Sequence, residues 1–439
     1  MAISKTNTKS RTLAARKWFR SLGWKPFPYQ EETWSAYLDG KNGIVNAPTG
    51  SGKTYSLLLP IMLDALLTGD TKGLQAIWIT PIRALAKEIQ GSAQRAADGL
   101  GLNWDVAIRS GDTSEKERRR IRKKAPNILI TTPESLHLLL ATRSYPDYFK
   151  QLKVVVTDEW HELVGTKRGV QMELALSRLK GLLPQLRVWG ISATVGNMDE
   201  ALEVLLGGSM ADNRHCIIRA AIEKKIEVYS VLPDEIERFP WAGHLGIKLL
   251  DKVIPLIQQG ESTLVFTNTR AQCEIWYQNI LDVAPDLAGV IAMHHSSISR
   301  ELRDWVEQAL HEGTLKAVVC TSSLDLGVDF RPVENIVQIG GPKGVSRFVQ
   351  RAGRSGHQPG AVSKIHFVPT HLLELIEAAA LREAVGAKVF ENRLPHIRCF
   401  DVLVQYLVSL SVSEGFQPEE IFEEVKSTFC YSSMSQAEW

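Results

Sequence analysis

The chain has 439 residues, of which 44% are hydrophobic and 23% charged, as is typical of globular proteins, and its length predicts two or three domains. The net charge of +2, from 51 Lys and Arg against 49 Asp and Glu, neither demands nor excludes a nucleic-acid partner. Five cysteines without C-x-x-C spacing argue against a structural zinc site, and neither a membrane-length apolar run nor a secretory signal is visible, so we expect a cytoplasmic protein without a membrane partner.

The first predicted elements precede a glycine-rich loop. Residues 12–22 have the apolar spacing of a short amphipathic helix, and the segment W-K-P-F-P-Y-Q follows. Gln30 starts the next helix, and its carboxamide could read both edge atoms of an adenine while Phe27 stacks nearby. An ordinary surface glutamine is the alternative, and the position shortly before the glycine loop leaves both interpretations open.

The glycine loop, A-P-T-G-S-G-K-T, lies between an apolar strand over 43–46 and a helical pattern over 55–67. Its glycines can adopt backbone angles that turn successive N–H groups towards phosphate oxygens. Lys53 would reach the β and γ phosphates, and Thr54 would bring its hydroxyl to Mg²⁺. The order of strand, loop and helix predicts a nucleotide site rather than an ordinary Gly/Ser turn. The predicted contacts of this loop are Thr49, Gly50, Ser51, Gly52, Lys53 and Thr54.

From residue 74 onwards, apolar strands alternate with helical patterns, which predicts βαβ units and a parallel sheet with helices on both faces. Strands are expected over 74–79, 104–108, 128–130, 154–157 and 187–191, and helices over 84–99, 135–141 and 170–182. The run R-R-R-I-R-K-K within 109–124 is strongly basic. It is either a local nucleic-acid surface or a solvated helix face.

Polar motifs follow two of these strands, at the carboxyl edge where parallel sheets bind ligands. The stretch V-V-V-T-D-E-W-H places Asp158 to hold Mg²⁺ through water and Glu159 to polarise the attacking water. A capping turn is the alternative for two adjacent acids, but the position after the glycine loop and an intervening βα pattern favours catalysis. In S-A-T, Ser192 and Thr194 could hydrogen-bond the acids and relay the nucleotide state to another site.

A Gly-rich, polar stretch over 207–213 predicts a domain boundary, after which a second α/β series begins. Its strands are expected over 262–268, 289–293, 316–321 and 334–339, and its helices over 271–283 and 298–311. His294 and His295 are adjacent on a strand and point to opposite faces, so we do not expect them to share a metal. In Q-R-A-G-R-S-G-H, we expect Arg354 to reach a γ-phosphate, and a solvated surface arginine is the alternative.

Together these motifs resemble those of superfamily 2 helicases over roughly residues 24–369. F-P-Y-Q resembles the Q motif, the glycine loop resembles motif I, T-P-I-R-A-L resembles motif Ia, and T-T-P-E-S resembles motif Ib. D-E-W-H resembles motif II and S-A-T resembles motif III. V-F-T-N-T-R resembles motif IV, T-S-S-L-D-L-G-V-D-F motif V and Q-R-A-G-R-S-G-H motif VI. Within the superfamily the chain looks most like the Lhr type. It looks specifically like the bacterial ligase-associated DEXH-box DNA helicases, because of S-G-D-T, F-P-W-A-G-H-L-G, H-H-S-S and G-P-K-G-V.

This resemblance implies an α/β fold with two tandem RecA-like parallel-sheet domains, followed by the start of a helical winged-helix domain. We expect an N-terminal lead-in and helix at 1–23, the ATP-binding domain at 24–210, the second RecA-like domain at 211–390 and a partial winged-helix domain at 391–439. Only the opening helices of that last domain are expected before Trp439. We therefore expect a helicase-core fragment, natural or engineered, that retains ATPase activity better than sustained unwinding.

The resemblance also implies roles for individual residues, with ATP and Mg²⁺ as cofactors. The implied nucleotide contacts are Lys53 and Thr54 for phosphate and Mg²⁺, Asp158 and Glu159 for metal and water, Gln30 for adenine, Asp329 near the ribose, and Arg354, assisted by Arg351, for the γ-phosphate. Motif VI ends in His357, where many superfamily 2 proteins have another arginine, so these two are the arginine candidates. The implied DNA backbone contacts are Thr80, Arg83, Thr132, Thr269 and Thr321.

The implied function is ATP-dependent 3′ to 5′ translocation along single-stranded DNA or a tailed duplex, in DNA repair near the bacterial nucleoid. A DNA ligase and a nuclease are implied as partners by family association alone. Because contacts to phosphates do not read the sugar, an RNA helicase is one alternative. A nucleic-acid remodeller that switches with ATP but does not unwind is the other.

Overall fold

The computed structural model describes residues 10–48, 50–193, 195–212, 214–222, 225–232, 246–325, 333–356 and 362–439. Their contacts divide the chain into two compact units. The first holds the chain up to residue 221 together with 392–439, and the second holds 222–391. The predicted site residues Thr49, Thr194 and Asp329 lie outside the described residues.

Seven parallel strands form the sheet of the first unit, in the order β3-β4-β2-β5-β6-β1-β7. They are β1 (Asn42–Asn46), β2 (Ala76–Ile79), β3 (Val106–Arg109), β4 (Ile128–Thr131), β5 (Val154–Thr157), β6 (Arg187–Ser192) and β7 (His215–Arg219). The central strands β2, β4 and β5 are buried along their whole length. Such strands have continuous apolar sequences because helices cover both faces of a parallel sheet. The six strands predicted in this region are confirmed.

The edge strand β7 was not predicted. Most of its residues are half-buried, so it lacks the continuous apolar run of an interior strand. It pairs in parallel with β1, and Ile217 lies opposite Ile44. The first sheet therefore continues past residue 210, where the first domain is predicted to end, and the first compact unit continues to residue 221.

Helices connect the strands of this unit. They are Leu13–Ser21, Pro28–Leu38, Lys53–Thr68, Arg83–Gly99, Glu115–Lys123, Pro133–Leu140, Tyr145–Phe149, Lys167–Leu182 and Met198–Leu206. The hydroxyls of Thr132 and Thr166 cap two of them by accepting hydrogen bonds from first-turn N–H groups. The basic run does contain a helix, Glu115–Lys123, which is anchored by the fully buried Ile121.

Six parallel strands form the sheet of the second unit, in the order β10-β11-β9-β12-β13-β8. They are β8 (Ile226–Ser230), β9 (Thr263–Phe266), β10 (Ile291–His294), β11 (Ala317–Cys320), β12 (Asn335–Ile339) and β13 (Ser363–Val368). The helices are Leu250–Gln259, Arg270–Val283, Arg300–Glu312, Val345–Ala352 and Leu373–Ala387. The predicted second α/β series is confirmed, and β8 and β13 extend it.

Two further helices, Phe400–Val412 and Pro418–Lys426, belong to the first unit. Both pack against the helix Lys167–Leu182, where Leu174 and Val425 share one buried cluster. The predicted order of two parallel α/β sheets followed by helices is thus confirmed. Among the described residues, no helix combines the length and the apolarity that a membrane crossing needs.

Candidate active site

The glycine loop turns sharply at two positions. Gly50 and Gly52 have φ angles of 75° and 74°, in the left-handed region that residues without a Cβ adopt without strain. The helix Lys53–Thr68 begins directly after Gly52. The N–H groups of its first turn and the positive end of its dipole therefore face the loop, as phosphate binding requires.

Two side chains of the preceding helix support this loop. The Tyr29 hydroxyl donates to the Ser51 carbonyl at 2.7 Å, and Gln30 Nε2 donates to the Gly52 carbonyl at 3.0 Å. Gln30 Oε1 accepts from the Phe27 N–H at 2.9 Å. Both ends of the Gln30 amide are therefore bonded within the protein, where they stabilise the loop, and adenine recognition by Gln30 stays a prediction.

A buried ion pair connects the loop to the paired acids. Lys53 Nζ lies 3.1 Å from Glu159 Oε1, and the two side chains are only 9% and 6% exposed. Glu159 itself has a φ of 46°, an uncommon backbone conformation for a residue with a side chain. Such conformations persist where the surrounding structure enforces them, often at functional sites. The two residues with the clearest predicted catalytic roles are thus in direct contact.

Asp158 is held beside this pair. Its carboxylate accepts from the indole N–H of Trp78 at 3.0 Å and from the backbone N–H of Glu159 at 2.8 Å. Burial and, to a smaller extent, the negative charge of Glu159 raise the pKa of Asp158 to about 7, against the opposing effect of the Lys53 ammonium. A cation at Asp158 would favour the ionised form of this carboxyl.

The oxygen donors at the site fit Mg²⁺. The Asp158 carboxylate lies at the end of β5, and Thr54 carries a half-buried hydroxyl in the first turn of the helix after the loop. Proteins that bind Mg²⁺ together with a nucleotide commonly supply one or two such oxygens and leave the other positions to phosphate and water. Among the described residues, no group of three or more His, Cys, Asp or Glu could hold a metal by itself.

His161 connects the acids to the segment after β6. Its Nδ1 accepts from the backbone N–H of Ala193 at 3.2 Å and lies 3.5 Å from Glu159 Oε2. Burial lowers the pKa of His161, so the ring is neutral and Nδ1 can act as an acceptor. The Ser192 hydroxyl lies 3.4 Å from the same nitrogen, and Asn46 Nδ2 donates to the Ala193 carbonyl at 3.0 Å. His161 therefore contacts both the S-A-T segment and Glu159.

Sequence reasoning overlooked three of these contributors: Asn46, Trp78 and His161. The membership of His161 in D-E-W-H was the available signal for that residue. Trp78 and Asn46 look like ordinary residues of buried strands, and only the parallel pairing of β2 with β5 and of β1 with β6 brings them to the site.

The predicted DNA-contacting threonines of the first unit use their hydroxyls locally. Thr80 is fully buried and donates to the Ile82 carbonyl at 2.9 Å. Thr132 caps the helix Pro133–Leu140 by accepting from the Ser135 N–H at 3.4 Å. Contact with a nucleic acid at these positions would therefore rely mainly on backbone N–H groups and the helix N-terminus.

Arg168, which sequence reasoning overlooked, joins the two segments that carry these threonines. Its Nε and Nη2 donate to the two carboxylate oxygens of Glu134 at 2.5 Å and 3.2 Å. Its Nη1 donates to the Pro81 carbonyl at 2.8 Å. No motif in the sequence contains Arg168, so nothing signalled this function. The guanidinium fixes the turn after β2 relative to the start of the helix Pro133–Leu140.

In the second unit, Arg351 is a buried structural anchor. It donates to both carboxylate oxygens of Asp325 at 2.7 Å and 3.2 Å, and to Gln338 Oε1 at 2.6 Å. The guanidinium also lies 4.7 Å above the Phe266 ring. These contacts use all three guanidinium nitrogens, and the side chain is 2% exposed, so little of it is open to a nucleotide.

Arg354 also contacts Asp325, but through the backbone of that residue. Its Nε and Nη2 donate to the backbone carbonyl of Asp325 at 3.2 Å and 2.9 Å, and the residue is 8% exposed. Sequence reasoning singled out Asp329 within this motif and overlooked Asp325, although both belong to T-S-S-L-D-L-G-V-D-F. Arg347 also approaches Asp325 Oδ2, at 3.5 Å, and is 28% exposed.

The remaining predicted contacts of the second unit lie at the carboxyl ends of its strands. Thr269 is exposed and caps the helix Arg270–Val283 by accepting from the Gln272 N–H at 3.2 Å. Thr321 is half-buried and directly follows β11.

The neighbouring histidines have separate partners. Nδ1 of His294 lies 2.7 Å from the Ser323 hydroxyl, whereas Nε2 of His295 lies 3.5 Å from Glu274. The two rings thus contact different groups, and β10 ends at His294, so His295 follows the strand.

Three family models match the chain in succession. Residues 27–201 match the DEAD/DEAH box helicase model, and 246–358 match the helicase conserved C-terminal domain. Residues 383–439 match the winged helix domain of large helicase-related proteins. Together they cover strands β1 to β6 of the first sheet, β9 to β12 of the second and the final helices.

Known proteins give the same result. The chain is 34% identical over 419 residues to the ATP-dependent helicase Lhr-Core of Methanothermobacter thermautotrophicus, covering 91% of this chain and 48% of that protein. It is 31% identical to the Lhr helicase/uracil glycosylase of Escherichia coli, covering 94% of this chain and 31% of that protein. The chain thus spans about half or less of the length of these curated relatives.

Solved structures agree. The Mycobacterium smegmatis helicase Lhr bound to ssDNA and AMP-PNP superposes with a TM-score of 0.85 at 29% identity, covering 98% of this chain and 57% of that one. The MrfA helicase bound to DNA has a TM-score of 0.73 at 23% identity, which shows the shared fold; the match covers 88% of this chain and 52% of that one. The chain belongs to the Lhr-type family of superfamily 2 ATP-dependent helicases.

Proposed function

We propose that this chain is the motor portion of a DNA helicase, in which DNA-stimulated ATP hydrolysis drives 3′ to 5′ movement on single-stranded DNA. The observation that carries the proposal is the 3.1 Å ion pair between Lys53 and Glu159, directly after a glycine loop and beside Asp158. A buried lysine and a buried glutamate neutralise each other, and the phosphates of a bound nucleotide would separate them by competing for the lysine.

The proposed chemistry follows from that separation. The β and γ phosphates would replace the Glu159 carboxylate as the partner of Lys53, because they carry more negative charge. The released Glu159 would then orient and polarise the attacking water. Thr54 and Asp158 would hold Mg²⁺, which neutralises negative charge on the phosphates when bound.

The second unit is proposed to supply Arg354 to the γ-phosphate, while Arg351 maintains the position of the segment that carries Asp325. This division follows from burial and bonding. All the nitrogens of the Arg351 guanidinium bond Asp325 and Gln338 side chains, whereas Arg354 bonds a main-chain carbonyl. Asp329 stays the proposed contact near the ribose, and Gln30 and Phe27 the proposed contacts of the adenine.

The proposed nucleic-acid track uses Thr80, Arg83, Thr132, Thr269 and Thr321. Two of these threonines cap helices, so the N–H groups behind them and the helix dipoles would bind phosphates without reading bases. The structure of the Mycobacterium smegmatis relative contains ssDNA, which supports DNA as the partner. An RNA substrate and an ATP-switched remodeller that does not unwind are the competing functions.

Steady-state ATP hydrolysis with no nucleic acid, with single-stranded DNA and with RNA of matching sequence tests the proposal, with Glu159→Gln as the blank. Strong stimulation by DNA alone supports the DNA motor. Equal stimulation by RNA would replace it with the RNA-directed alternative. Nucleic-acid binding without any stimulation would favour a remodeller that requires other parts of a longer protein.

Direction and duplex separation need a second assay. Displacement of a labelled strand should occur on a duplex with a 3′ single-stranded tail and not on one with a 5′ tail. A role in DNA repair in the cytoplasm near the nucleoid, together with a DNA ligase and a nuclease, is proposed from the resemblance to the ligase-associated branch. Relatives in both archaea and bacteria leave the bacterial origin a proposal as well. Co-purification with a ligase from the source cells would test the partnership.

A further inference from the structure

A basic pocket lies in the first unit, away from the glycine loop. Its volume is about 370 Å³, within the range of pockets that bind small ligands. Four of its lining side chains are cationic and one is acidic: Arg122, Lys123, Arg143, Lys150 and Asp147. The lining thus carries a net charge of three positive units (four minus one), more than the +2 of the whole chain.

The pocket lies at the edge of the sheet opposite the nucleotide site. Lining residues Leu74, Ala125 and Gln151 lie shortly before the starts of β2, β4 and β5, which are neighbouring strands. Because all strands are parallel, these positions share the amino edge of the sheet. The glycine loop and the acids follow the carboxyl ends of β1 and β5. A ligand in the pocket would therefore not occupy the ATP cradle.

Three of the cations have no counterion among the described residues. Within the described ranges, Arg122, Lys123 and Arg143 make no hydrogen bond or ion pair, whereas Lys150 lies 3.6 Å from Asp147 in an exposed pair. A further carboxylate, Glu414, accepts from the Ser144 N–H at the rim and is therefore partly occupied. The pocket thus presents more unpaired positive than negative groups.

The Tyr148 side chain also lines the pocket, and its hydroxyl oxygen is buried without a hydrogen-bond partner in the part of the chain that the structure describes. The groups that a phosphate in the pocket would meet are therefore the exposed cations of the lining and not this hydroxyl.

The helix dipole accounts for two of the four cations that line the pocket. Arg122 and Lys123 lie in the last turn of the helix Glu115–Lys123, where cations are favoured in any protein. Arg143 and Lys150 come from a separate segment, on either side of the helix Tyr145–Phe149. Cations from two independent elements therefore converge on one cavity.

We propose that this pocket binds a phosphate group, either of a nucleic-acid backbone or of a free nucleotide, at a site separate from the ATP cradle. The recognition is electrostatic, because a phosphate can bond several cations at once. The inference does not depend on the motor function, since binding and not turnover is measured.

The test compares Arg122→Gln/Arg143→Gln in the full chain with the control Arg119→Gln. Arg119 belongs to the same helix and is exposed, but it does not line the pocket. Binding of tripolyphosphate is measured calorimetrically in saturating AMP-PNP, which occupies the ATP cradle. We expect the double variant to bind tripolyphosphate at least about tenfold more weakly, since charge-assisted bonds are strong, while the control matches the unmodified chain.

A labelled 20-nucleotide oligothymidylate distinguishes the two sources of phosphate. If the nucleic-acid backbone is the ligand, the slope of log affinity against log salt should fall by about 0.7 for each phosphate contact that the double variant loses. If only tripolyphosphate binding falls, a free nucleotide is the source. Arg122→Lys/Arg143→Lys should retain binding, which excludes misfolding. Equal affinity of the double variant and the unmodified chain, or an equal loss in Arg119→Gln, would overturn the proposal.

Discussion

The Nδ1 atom of His161 accepts a hydrogen bond from the backbone N–H of Ala193 at 3.2 Å. The two residues belong to the motifs D-E-W-H and S-A-T, at the ends of the neighbouring strands β5 and β6. His161 also lies 3.5 Å from Glu159. The proposed movement of Glu159 on nucleotide binding would therefore reach the S-A-T segment through one imidazole ring.

Replacing His161 should weaken this coupling more than the chemistry. In His161→Ala the Ala193 N–H loses its buried acceptor, which we expect to lower the free energy of unfolding by about 1–3 kcal/mol. Stimulation of ATP hydrolysis by DNA should fall severalfold, while hydrolysis without DNA changes less. His161→Asn, which keeps a side-chain acceptor, should retain more of the stimulation. Equal loss of stimulated and unstimulated hydrolysis in both variants would make His161 part of the chemistry instead.

Glu159→Gln and Lys53→Ala should each abolish turnover. Loss of the proposed general base is expected to reduce ATP hydrolysis by about 10²-fold or more. Lys53→Ala should also destabilise the nucleotide-free protein, because it leaves the buried Glu159 without its cation. Hydrolysis is measured at saturating ATP, and thermal unfolding establishes that both variants fold. Retained turnover in either variant would contradict the site assignment.

Arg351 and Arg354 should differ in what they support. Arg351→Ala removes one partner of a buried bidentate pair with Asp325, and we expect the free energy of unfolding to fall by about 3–5 kcal/mol. Arg354→Ala should lose turnover while ATP binding persists. Arg347→Ala, at a side chain that is 28% exposed, is the control and should change stability little. A loss of ATP binding in a folded Arg354→Ala variant would instead indicate a nucleotide-pocket role.

Arg168→Ala should lower the affinity for single-stranded DNA with little loss of stability. The Arg168–Glu134 ion pair is 37% and 49% exposed, so its loss should cost less than about 1 kcal/mol of stability. Affinity for single-stranded DNA should nevertheless fall, because Arg168 also bonds the Pro81 carbonyl and positions two proposed contact segments. Fluorescence anisotropy with labelled DNA measures the affinity. Unchanged DNA affinity together with unchanged stability would show that this bridge has no part in binding.

Glu173 should make stability depend on pH. Burial raises its pKa to about 8, although the carboxylate accepts from the Cys430 N–H at 2.8 Å. The folded state therefore binds a proton that the unfolded chain has lost above its ordinary pKa of 4.5. Stability from this group is fully present below pH 4.5 and is lost as the pH rises through about 8, by up to about 1.4 kcal/mol per pH unit.

Glu173→Gln tests this dependence, since the amide oxygen can still accept from the Cys430 N–H but does not ionise. Urea unfolding between pH 6 and 9 should show a smaller decline in stability for Glu173→Gln than for the unmodified chain. Parallel declines would show that Glu173 does not titrate in this range. Glu424, which lies in the helix Pro418–Lys426, is left unchanged in both proteins.

Local composition was sufficient to predict the interior strands and the motif residues. The run V-V-V-T predicts a strand over 154–157, and the structure has it at the same residues, because four buried positions in a parallel sheet require a continuous apolar run. The edge strand β7 escaped prediction, since an edge position tolerates half-buried residues. The motifs G-S-G-K-T and D-E could likewise be identified from the sequence, because they are defined by residue type and order.

The sequence by itself determined the family, the class of fold and the proposed identities of Lys53, Asp158 and Glu159. Only the tertiary structure decided which distant side chains meet: His161 with Ala193, Arg168 with Glu134, and Arg351 with Asp325. Such pairs depend on strand order, register and helix packing. These arise from the burial of apolar surface over the whole unit, so no local pattern records them.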